Sequence, residues 1–263
     1  MITGASAGLG REFARQLAAG GNDLVLVSRR VEPMRELARD LESACNVAVD
    51  VIAADLANAD APAAVFAAVA ERGLQIDCLI NNAGSSGPDL IESNDWETSH
   101  GYLQLMTTSA VALCHFFAPA MRERGYGRIL NVASVAGLVP TPGDYTYGPT
   151  KAYLIAFSRG LSGALRHDGI HVTALCPGFT HTDFHASPEL ARMKASLPKF
   201  IWYDAETVVR EGLHALDKGR DIYISGRLYR YLVPVLRSPV GRLAVRVLAA
   251  KQDPRQAKRT GKT

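Results

Sequence analysis

The sequence predicts an α/β protein built around a parallel, doubly wound sheet. Short apolar runs rich in Val and Ile alternate with longer amphipathic segments, which is typical of strands that helices cover on both faces. A glycine-rich turn joins the first apolar run to the first helix. The 263 residues are 48% hydrophobic and 21% charged, as in a globular domain with a large core. We therefore expect one domain with a sheet of about seven strands flanked by helices.

The strands and helices follow one another in a regular order. Continuous apolar runs predict strands at 24–28, 47–53, 78–81, 128–132, 170–175 and 222–224. Helical periodicity predicts helices at about 9–19, 33–44, 61–72, 98–124, 147–167 and 205–217. Only Met1 and Ile2 precede the glycine-rich turn. We expect either a very short first strand or a natural chain that starts upstream of Met1.

Charge is distributed unevenly along the chain. The formal net charge is +3, but residues 227–263 carry +9, which leaves −6 for the rest. We expect residues 1–226 to form the domain and residues 227–263 to be a basic helical extension of it. Leucines and valines between its arginines could lie on an anionic membrane, on a second subunit or over a substrate cleft. Because Pro234 and Pro239 should break the extension into short pieces, membrane contact is not favoured, and the acidic body argues against nucleic acid.

One uncharged stretch, residues 101–121, is long enough to span a bilayer. Polar residues interrupt it and Pro119 lies near its end, so a buried helix in a core or subunit interface fits better. With helix 147–167 it should form a two-fold contact, giving a homodimer or a homotetramer. The chain opens without a signal-peptide pattern, and its four cysteines are widely spaced, so we expect a cytoplasmic protein with reduced thiols.

The glycine-rich turn is the first of five motifs. Residues 3–10 read TGASAGLG, and glycines here let backbone N–H groups approach a pyrophosphate at the start of a helix. By itself such a turn is about as often an ordinary strand–helix connection. The other motifs are NNAG at residues 81–84, Ser134 after a strand, Tyr147-x-x-x-Lys151, and Pro177-Gly178 followed by Thr182.

With these motifs in this order and spacing, the sequence resembles the short-chain dehydrogenase/reductase family over about residues 1–225. The resemblance implies a Rossmann fold and an oxidoreductase that interconverts a carbonyl and a secondary alcohol with a nicotinamide cofactor. It implies Ser134, Tyr147 and Lys151 as catalytic residues and no metal site. It implies cofactor contacts from Gly4, Ser6, Gly8, Leu9, Gly10, Ser28, Arg29, Arg30, Asp55, Leu56, Asn82, Ala83, Gly84, Tyr147, Lys151, Pro177, Gly178, Thr180 and Thr182.

The residue types at this site suit proton transfer. Tyr147 and Lys151 are four residues apart near a helix start, hence on one face. A nearby ammonium should lower the pKa of the phenol, which can then exchange a proton with a carbonyl oxygen. Ser134 supplies a hydroxyl that orients the same oxygen. Lys151 could also hold the nicotinamide ribose.

Cofactor choice depends on the end of the second strand, which reads LVLVSRR. An acid there would bind the ribose 2′-hydroxyl of NAD. Ser28 takes its place, and the guanidinium groups of Arg29 and Arg30 can pair with a 2′-phosphate. Ala7 lacks the basic side chain that many NADP-binding members carry. The sequence favours NADP(H) over NAD(H).

Two further features bear on function. Met106 lies where many members have a catalytic Asn, which puts the proton relay in doubt and motivates an alternative, a cofactor-binding sensor or scaffold with little turnover. Residues 179–203 should form a substrate lid, whose apolar members either wall the substrate or pack on the body. His181 and His185 have metal-ligand spacing but no third ligand.

Overall fold

The computed structural model describes residues 1–91, 94–182, 198–241 and 243. The strands are β1 (Ile2–Thr3), β2 (Leu24–Ser28), β3 (Val49–Ala53), β4 (Cys78–Asn81), β5 (Gly127–Val132), β6 (Ile170–Cys176), β7 (Thr180–His181), β8 (Tyr203–Asp204) and β9 (Ile222–Ile224). The helices are α1 (Gly8–Ala19), α2 (Val31–Cys45), α3 (Ala61–Glu71), α4 (Trp96–Leu103), α5 (Ser109–Arg124), α6 (Tyr147–Leu165), α7 (Ala205–Asp217) and α8 (Arg227–Arg237). Most bounds lie within two residues of those expected from the sequence.

The predicted doubly wound parallel sheet is confirmed. Seven strands pair in the order β3-β2-β1-β4-β5-β6-β9, all in parallel. The order reverses between β1 and β4, so a crevice opens outside the carboxyl ends of these strands. Although β1 has two residues, it is central: Ile2 pairs with Leu26 of β2 and with Ile80 of β4. Both alternatives expected from the sequence, a very short first strand and a natural chain that starts upstream of Met1, agree with this pairing.

Two apolar layers form the core, one on each face of the sheet. On one face α3 and α5 cover the strands, with Leu79, Phe117 and Val172 buried among them. On the other face α1, α2 and α7 pack around Phe13 and Leu26. Both faces of the sheet are therefore dry, which explains the continuous hydrophobicity of the central strands. The four cysteines are free thiols.

The uncharged stretch lies in a helical segment that the sequence predicts as one helix. By length and hydropathy alone, Trp96–Arg124 could cross a membrane. In the structure it runs as α4, a π-helical turn at Gln104–Thr108 and α5. One face buries Leu113, Phe117 and Met121 in the core, as expected for a core helix. The π turn was not predicted.

The sequence prediction that Pro234 breaks the C-terminal extension is wrong. Helix α8 continues through Pro234 as far as Arg237. Tyr229 and Val233, in the turns before Pro234, are buried against the body, and this packing outweighs the lost hydrogen bond. The helix ends at Ser238, which is extended ahead of Pro239, as the sequence predicts for that proline.

A buried polar chain ties the sheet to α6. The Asn81 Nδ2 donates to Asn131 Oδ1 over 2.8 Å, and Asn131 Nδ2 donates to Ser158 Oγ over 2.8 Å. The Ser158 hydroxyl in turn donates to the Leu154 carbonyl over 2.7 Å. All three polar side chains are buried. This chain fixes the depth at which α6 packs on β4 and β5.

We expect Asn131→Ala to lower the free energy of unfolding by about 2–4 kcal/mol, because it leaves buried polar groups of Asn81 and Ser158 without their partner. The exposed Asn58→Ala should change it by less than about 0.5 kcal/mol. Urea denaturation followed by circular dichroism measures both. Equal losses in the two variants would show that the buried chain contributes no special stability.

Candidate active site

The glycine-rich turn wraps the carboxyl end of β1 in a conformation that needs its glycines. Gly4 and Gly8 have φ of +66° and +53°, which side chains rarely adopt. A Cβ on Gly10 would lie 2.2 Å from the Gly4 carbonyl oxygen, so a side chain there would collide with the turn. A Cβ on Gly8 would lie 3.3 Å from the Thr182 Cβ, which places the last motif against the first.

Thr3 fastens the NNAG segment to this turn, a role that the sequence analysis missed. Its Oγ1 accepts hydrogen bonds from the backbone N–H groups of Asn82 and Ala83, each over 3.0 Å. The Asn82 Nδ2 returns a hydrogen bond to the Thr3 carbonyl over 2.9 Å. Thr3 is the first residue of the TGASAGLG motif, and its hydroxyl directly before Gly4 was the available signal. Two motifs nearly eighty residues apart thus form one wall of the crevice.

The start of α1 fits a phosphate group. Its N-cap is Ala7, whose side chain makes no capping hydrogen bond, and no acidic residue lies in the first turn. The N–H groups of that turn therefore keep their capacity to bind an anion, and the helix dipole favours negative charge there. These N–H groups and the backbone at Gly4 and Gly10 together line a cavity for a phosphate group, which side chains at the two glycines would fill.

Basic side chains cluster at the end of β2, as the sequence predicts. The Arg30 Nη2 donates to Ser6 Oγ over 3.1 Å, and Ser6 Oγ lies 2.9 Å from Ser28 Oγ. The exposed Arg29 lies beside Asp55, with 3.6 Å between Nη1 and Oδ2. The Arg30 side chain thus contacts the glycine-rich turn, whereas the Arg29 side chain lies on the other side of the end of β2, next to Asp55. Leu56, next to Asp55, is buried.

Ser134, Tyr147 and Lys151 meet at the carboxyl end of β5. The Ser134 hydroxyl is hydrogen-bonded to the Tyr147 phenol and also accepts from the Ala136 N–H over 3.1 Å. The Lys151 Nζ donates to the Val132 carbonyl oxygen over 2.8 Å and lies 5.6 Å from the centroid of the Tyr147 ring. Lys151 is 5% exposed. Three side chains that proton transfer requires therefore share one pocket.

Burial shifts the pKa values of both titrating groups toward their neutral forms. It raises the pKa of Tyr147 to about 12, although the Ser134 hydrogen bond opposes the change. It lowers the pKa of Lys151 to about 8. The lowered Tyr147 pKa that the sequence suggests is not found in the structure, where burial is the largest influence on the phenol and raises its pKa. Tyr147 is therefore a protonated donor at neutral pH.

Met106 occupies the place predicted from the sequence, at the middle of the π turn. Its Sδ accepts a hydrogen bond from the Ser85 N–H over 3.3 Å. A Cβ on Gly84 would lie 3.2 Å from Met106 Sδ and 3.7 Å from Lys151 Nζ. Met106 is 1% exposed, so a thioether borders the lysine pocket at the position where the resemblance implies an Asn. Because Gly84 has no side chain, it leaves room for the Met106 thioether and the Lys151 ammonium.

The loop before α6 contributes residues that the sequence analysis missed. Both carboxylate oxygens of Asp144 accept the Gly148 N–H, over 3.0 and 2.9 Å, which caps the helix that carries Tyr147 and Lys151. The Tyr145 hydroxyl donates to Asp89, which links this loop to the segment after the NNAG motif. An Asp three residues before the Tyr was the available signal.

The final motif lies beside Ser134 and is held by the C-terminal helix. The Pro177 carbonyl accepts from the Val135 N–H over 3.0 Å, and Thr180 Oγ1 donates to the Gly178 carbonyl over 3.1 Å. A Cβ on Gly178 would lie 2.0 Å from the Tyr229 ring, so that ring packs directly on the bare glycine. Tyr229, which the sequence analysis did not single out, thus supports the motif.

Only the two ends of the predicted lid belong to the described residues. The Tyr203 N–H donates to the Phe179 carbonyl over 2.9 Å, and Trp202 packs against the rings of Phe179 and His181. Residues 183–197 lie outside the described residues, and with them the predicted lid members Phe184, Leu190, Met193 and Leu197 and the predicted metal-spaced His185. Among the described residues no group of His, Cys, Asp and Glu forms a metal site.

Comparisons with known proteins identify the fold and the family. A sulfoacetaldehyde reductase from Chromohalobacter salexigens is 37% identical over 185 residues, which cover 70% of this chain and 72% of the relative. A short-chain dehydrogenase from Sphingobium yanoikuyae, solved in complex with NADPH, is 31% identical with a TM-score of 0.76, covering 100% of this chain and 95% of that chain. A bulky-bulky ketone specific alcohol dehydrogenase from Comamonas testosteroni is 29% identical with a TM-score of 0.74, covering 100% and 93%.

The family model of the short chain dehydrogenases matches residues 1–192. This span includes the glycine-rich turn, Ser134, Tyr147 and Lys151. The chain therefore belongs to the short-chain dehydrogenase/reductase family and is an oxidoreductase of that family.

Proposed function

We propose that this chain is an NADP(H)-dependent oxidoreductase that interconverts a carbonyl group and a secondary alcohol. One observation carries the proposal: Ser134, Tyr147 and Lys151 share a pocket at the carboxyl edge of the sheet, next to a cradle shaped for phosphate. When bound, the nicotinamide supplies or accepts the hydride. The residues of the chain supply position and the proton.

Each part of the crevice suits one part of the cofactor. The glycine-rich turn and the start of α1, with Gly4, Ser6, Gly8, Leu9 and Gly10, would hold the pyrophosphate. The 2′-phosphate would be held by Ser28, Arg29 and Arg30. The hydroxyl groups of Ser6 and Ser28 and the Arg30 guanidinium lie together there, and no acid occupies position 28. The remaining contacts come from Asp55 and Leu56 at the adenine, Asn82, Ala83 and Gly84 at its ribose, Tyr147 and Lys151 at the nicotinamide ribose, and Pro177, Gly178, Thr180 and Thr182 at the nicotinamide.

The pocket residues divide the proton chemistry between them. Tyr147 gives its phenol proton to the carbonyl oxygen during reduction, because its raised pKa keeps that proton in place until the oxygen needs it. The Ser134 hydroxyl orients the same oxygen. The Lys151 ammonium stabilises the phenolate that remains and binds the ribose hydroxyls. The intact triad argues against a sensor or scaffold with little turnover, the alternative that Met106 motivates.

The chain's assembly follows from its exposed apolar surface. We propose a two-fold homodimer, extendable to a homotetramer, through α5 and α6. Phe66 and Phe116 stack with 5.3 Å between ring centroids, and Tyr153 stacks on Phe157 at 6.3 Å with Tyr153 48% exposed. These rings form an apolar face that a second copy would cover. We further propose residues 1–226 as the catalytic domain, in the cytoplasm, acting on a small carbonyl or alcohol.

We expect Tyr147→Phe to abolish turnover and leave NADPH affinity nearly unchanged, because it removes the proton donor and little volume. Lys151→Met should lower both turnover and NADPH affinity, because the ammonium stabilises the phenolate and binds the ribose hydroxyls. A panel of aldehydes and ketones, followed by NADPH absorbance, measures activity, and NADPH fluorescence measures binding. Tyr126→Phe, at an exposed ring just before β5, is the matched control. Retention of most activity by Tyr147→Phe would refute this mechanism.

We expect Arg30→Ala to weaken NADPH binding by about 10- to 100-fold, the scale of a charge-assisted hydrogen bond, and NADH binding by less than about threefold. Arg29→Ala should act in the same direction. Calorimetric titration of both cofactors checks this, with Arg35→Ala as control because Arg35 is exposed and paired with Glu32 on α2. If NADH binding fell as far as NADPH binding, these arginines would not read the 2′-phosphate.

We expect kcat/KM for carbonyl reduction to fall as pH rises through about 8. Lys151 is charged below its lowered pKa and neutral above it, whereas the Tyr147 pKa of about 12 keeps that proton bound throughout the range. The profile should be measured at constant ionic strength from about pH 6 to about pH 10. The residual activity of Lys151→Met should lack this descending limb. If kcat/KM of Lys151→Met fell with the same midpoint pH, the titrating group would be one other than Lys151.

A further inference from the structure

We propose that the outer face of α8, with Val240 and Leu243 after it, forms a docking surface for an anionic lipid bilayer. The surface consists of Arg227, Tyr231, Leu232, Val235, Arg237, Val240 and Leu243. It lies apart from the catalytic pocket, and the proposal does not depend on the proposed function. It reverses the expectation from sequence, which rested on breaks at both Pro234 and Pro239; the helix continues through Pro234 and ends ahead of Pro239.

One face of α8 is fixed to the body of the protein. The Tyr229 hydroxyl donates to the Ile201 carbonyl over 2.8 Å and accepts from the Phe179 N–H over 3.1 Å. Val233, one turn further, is 2% exposed. Arg230 lies on the same side, where it contacts Glu211 at 3.5 Å and the Tyr223 hydroxyl. These contacts set the rotation of the helix.

The opposite face therefore points away from the protein, and it is apolar. Tyr231 and Val235, four residues apart on one side of the helix, are 73% and 62% exposed. Leu232 is exposed beside them, and beyond Ser238 the exposure continues at Val240 and Leu243. Single exposed apolar side chains are common, but five within thirteen residues are a concentration that indicates an interaction surface.

Positive charge surrounds this patch. Arg227 and Arg237 lie exposed at the two ends of α8, and neither takes part in an ion pair among the described residues. By sequence, residues 238–263 add seven Lys or Arg and one acid, Asp253. An apolar face framed by basic residues matches a bilayer whose surface carries anionic headgroups. Tyr231 also suits the boundary between acyl chains and headgroups.

Charge also decides between a bilayer and a second copy of the chain as the occupant. A two-fold contact through α8 would bring two segments of +9 side by side, and like charges at close range repel. An anionic bilayer attracts both the exposed arginines and the segment after them. The charge of this surface therefore favours contact with an anionic bilayer over contact with the same surface of a second copy.

Docking would couple to the active site through Tyr229. This residue packs on Gly178 of the PG motif and bonds the backbone at Phe179 and Ile201, the two ends of the lid segment. Tyr229 thus links the inner face of α8 to the PG motif, while the exposed residues of α8 lie on its opposite face.

Co-sedimentation of the full chain with vesicles tests the proposal. The protein should sediment with phosphatidylglycerol/phosphatidylcholine vesicles and remain in solution with pure phosphatidylcholine. At about 1 M salt, where the Debye length is about 3 Å, binding should fall steeply. The double variant Tyr231→Ser/Val235→Ser and the double variant Arg227→Gln/Arg237→Gln should each lower the partition coefficient by about tenfold or more.

A matched variant and a folding check accompany these measurements. Tyr126→Ser removes a ring that is 48% exposed on another part of the surface, and it should bind vesicles like the wild type. Circular dichroism and NADPH binding of every variant should equal those of the wild type. Failure of the wild type to bind anionic vesicles would overturn the proposal, as would equal binding by Tyr231→Ser/Val235→Ser. Dissociation of an oligomer in that variant, seen by light scattering, would assign the surface to a second copy instead.

Discussion

The architecture of the active site depends on one buried cation. The Lys151 ammonium is almost completely withdrawn from solvent, a placement that costs free energy unless polar groups surround it. The Val132 carbonyl at the end of β5 provides one such group over 2.8 Å. The position of Lys151 is therefore set jointly by α6 and by the carboxyl edge of the sheet. Gly84 and Met106 close the remaining sides of the pocket.

The sheet topology explains how residues so distant in sequence reach this lysine. Because all paired strands of the main sheet run in parallel, the turns after β1, β4, β5 and β6 open at the same edge. Thr3 joins the first two of these turns, and the backbone bond from Val135 to Pro177 joins the last two. Below them the buried Asn81–Asn131–Ser158 chain holds α6 against the strands. Helices and strands of the main fold thus carry the polar groups around Lys151.

Much of this arrangement was predictable from sequence, because it depends on local patterns. Continuous apolar runs predicted the strands, and ordered motifs predicted Ser134, Tyr147 and Lys151, which the structure brings together. Most of the missed features are non-local. Thr3 and Tyr229 act through contacts with backbone groups that only the folded chain brings near. Asp144 is the exception, since it accepts from Gly148, four residues further along the chain. The wrong prediction for the Tyr147 pKa also has a non-local origin, since the sequence shows the neighbouring lysine but not the depth of burial.

In the proposed reaction a hydride passes directly from the nicotinamide to a carbonyl carbon, and the buried triad supplies the proton to the carbonyl oxygen. NADPH carrying deuterium at nicotinamide C4, in each of its two stereochemical forms, tests this with the most rapidly reduced aldehyde or ketone of a broad panel. Mass spectrometry of the alcohol should find one deuterium on the carbinol carbon from one of the two forms and none from the other. An alcohol free of deuterium with both forms would contradict the account, as would the absence of any reduced carbonyl in the panel.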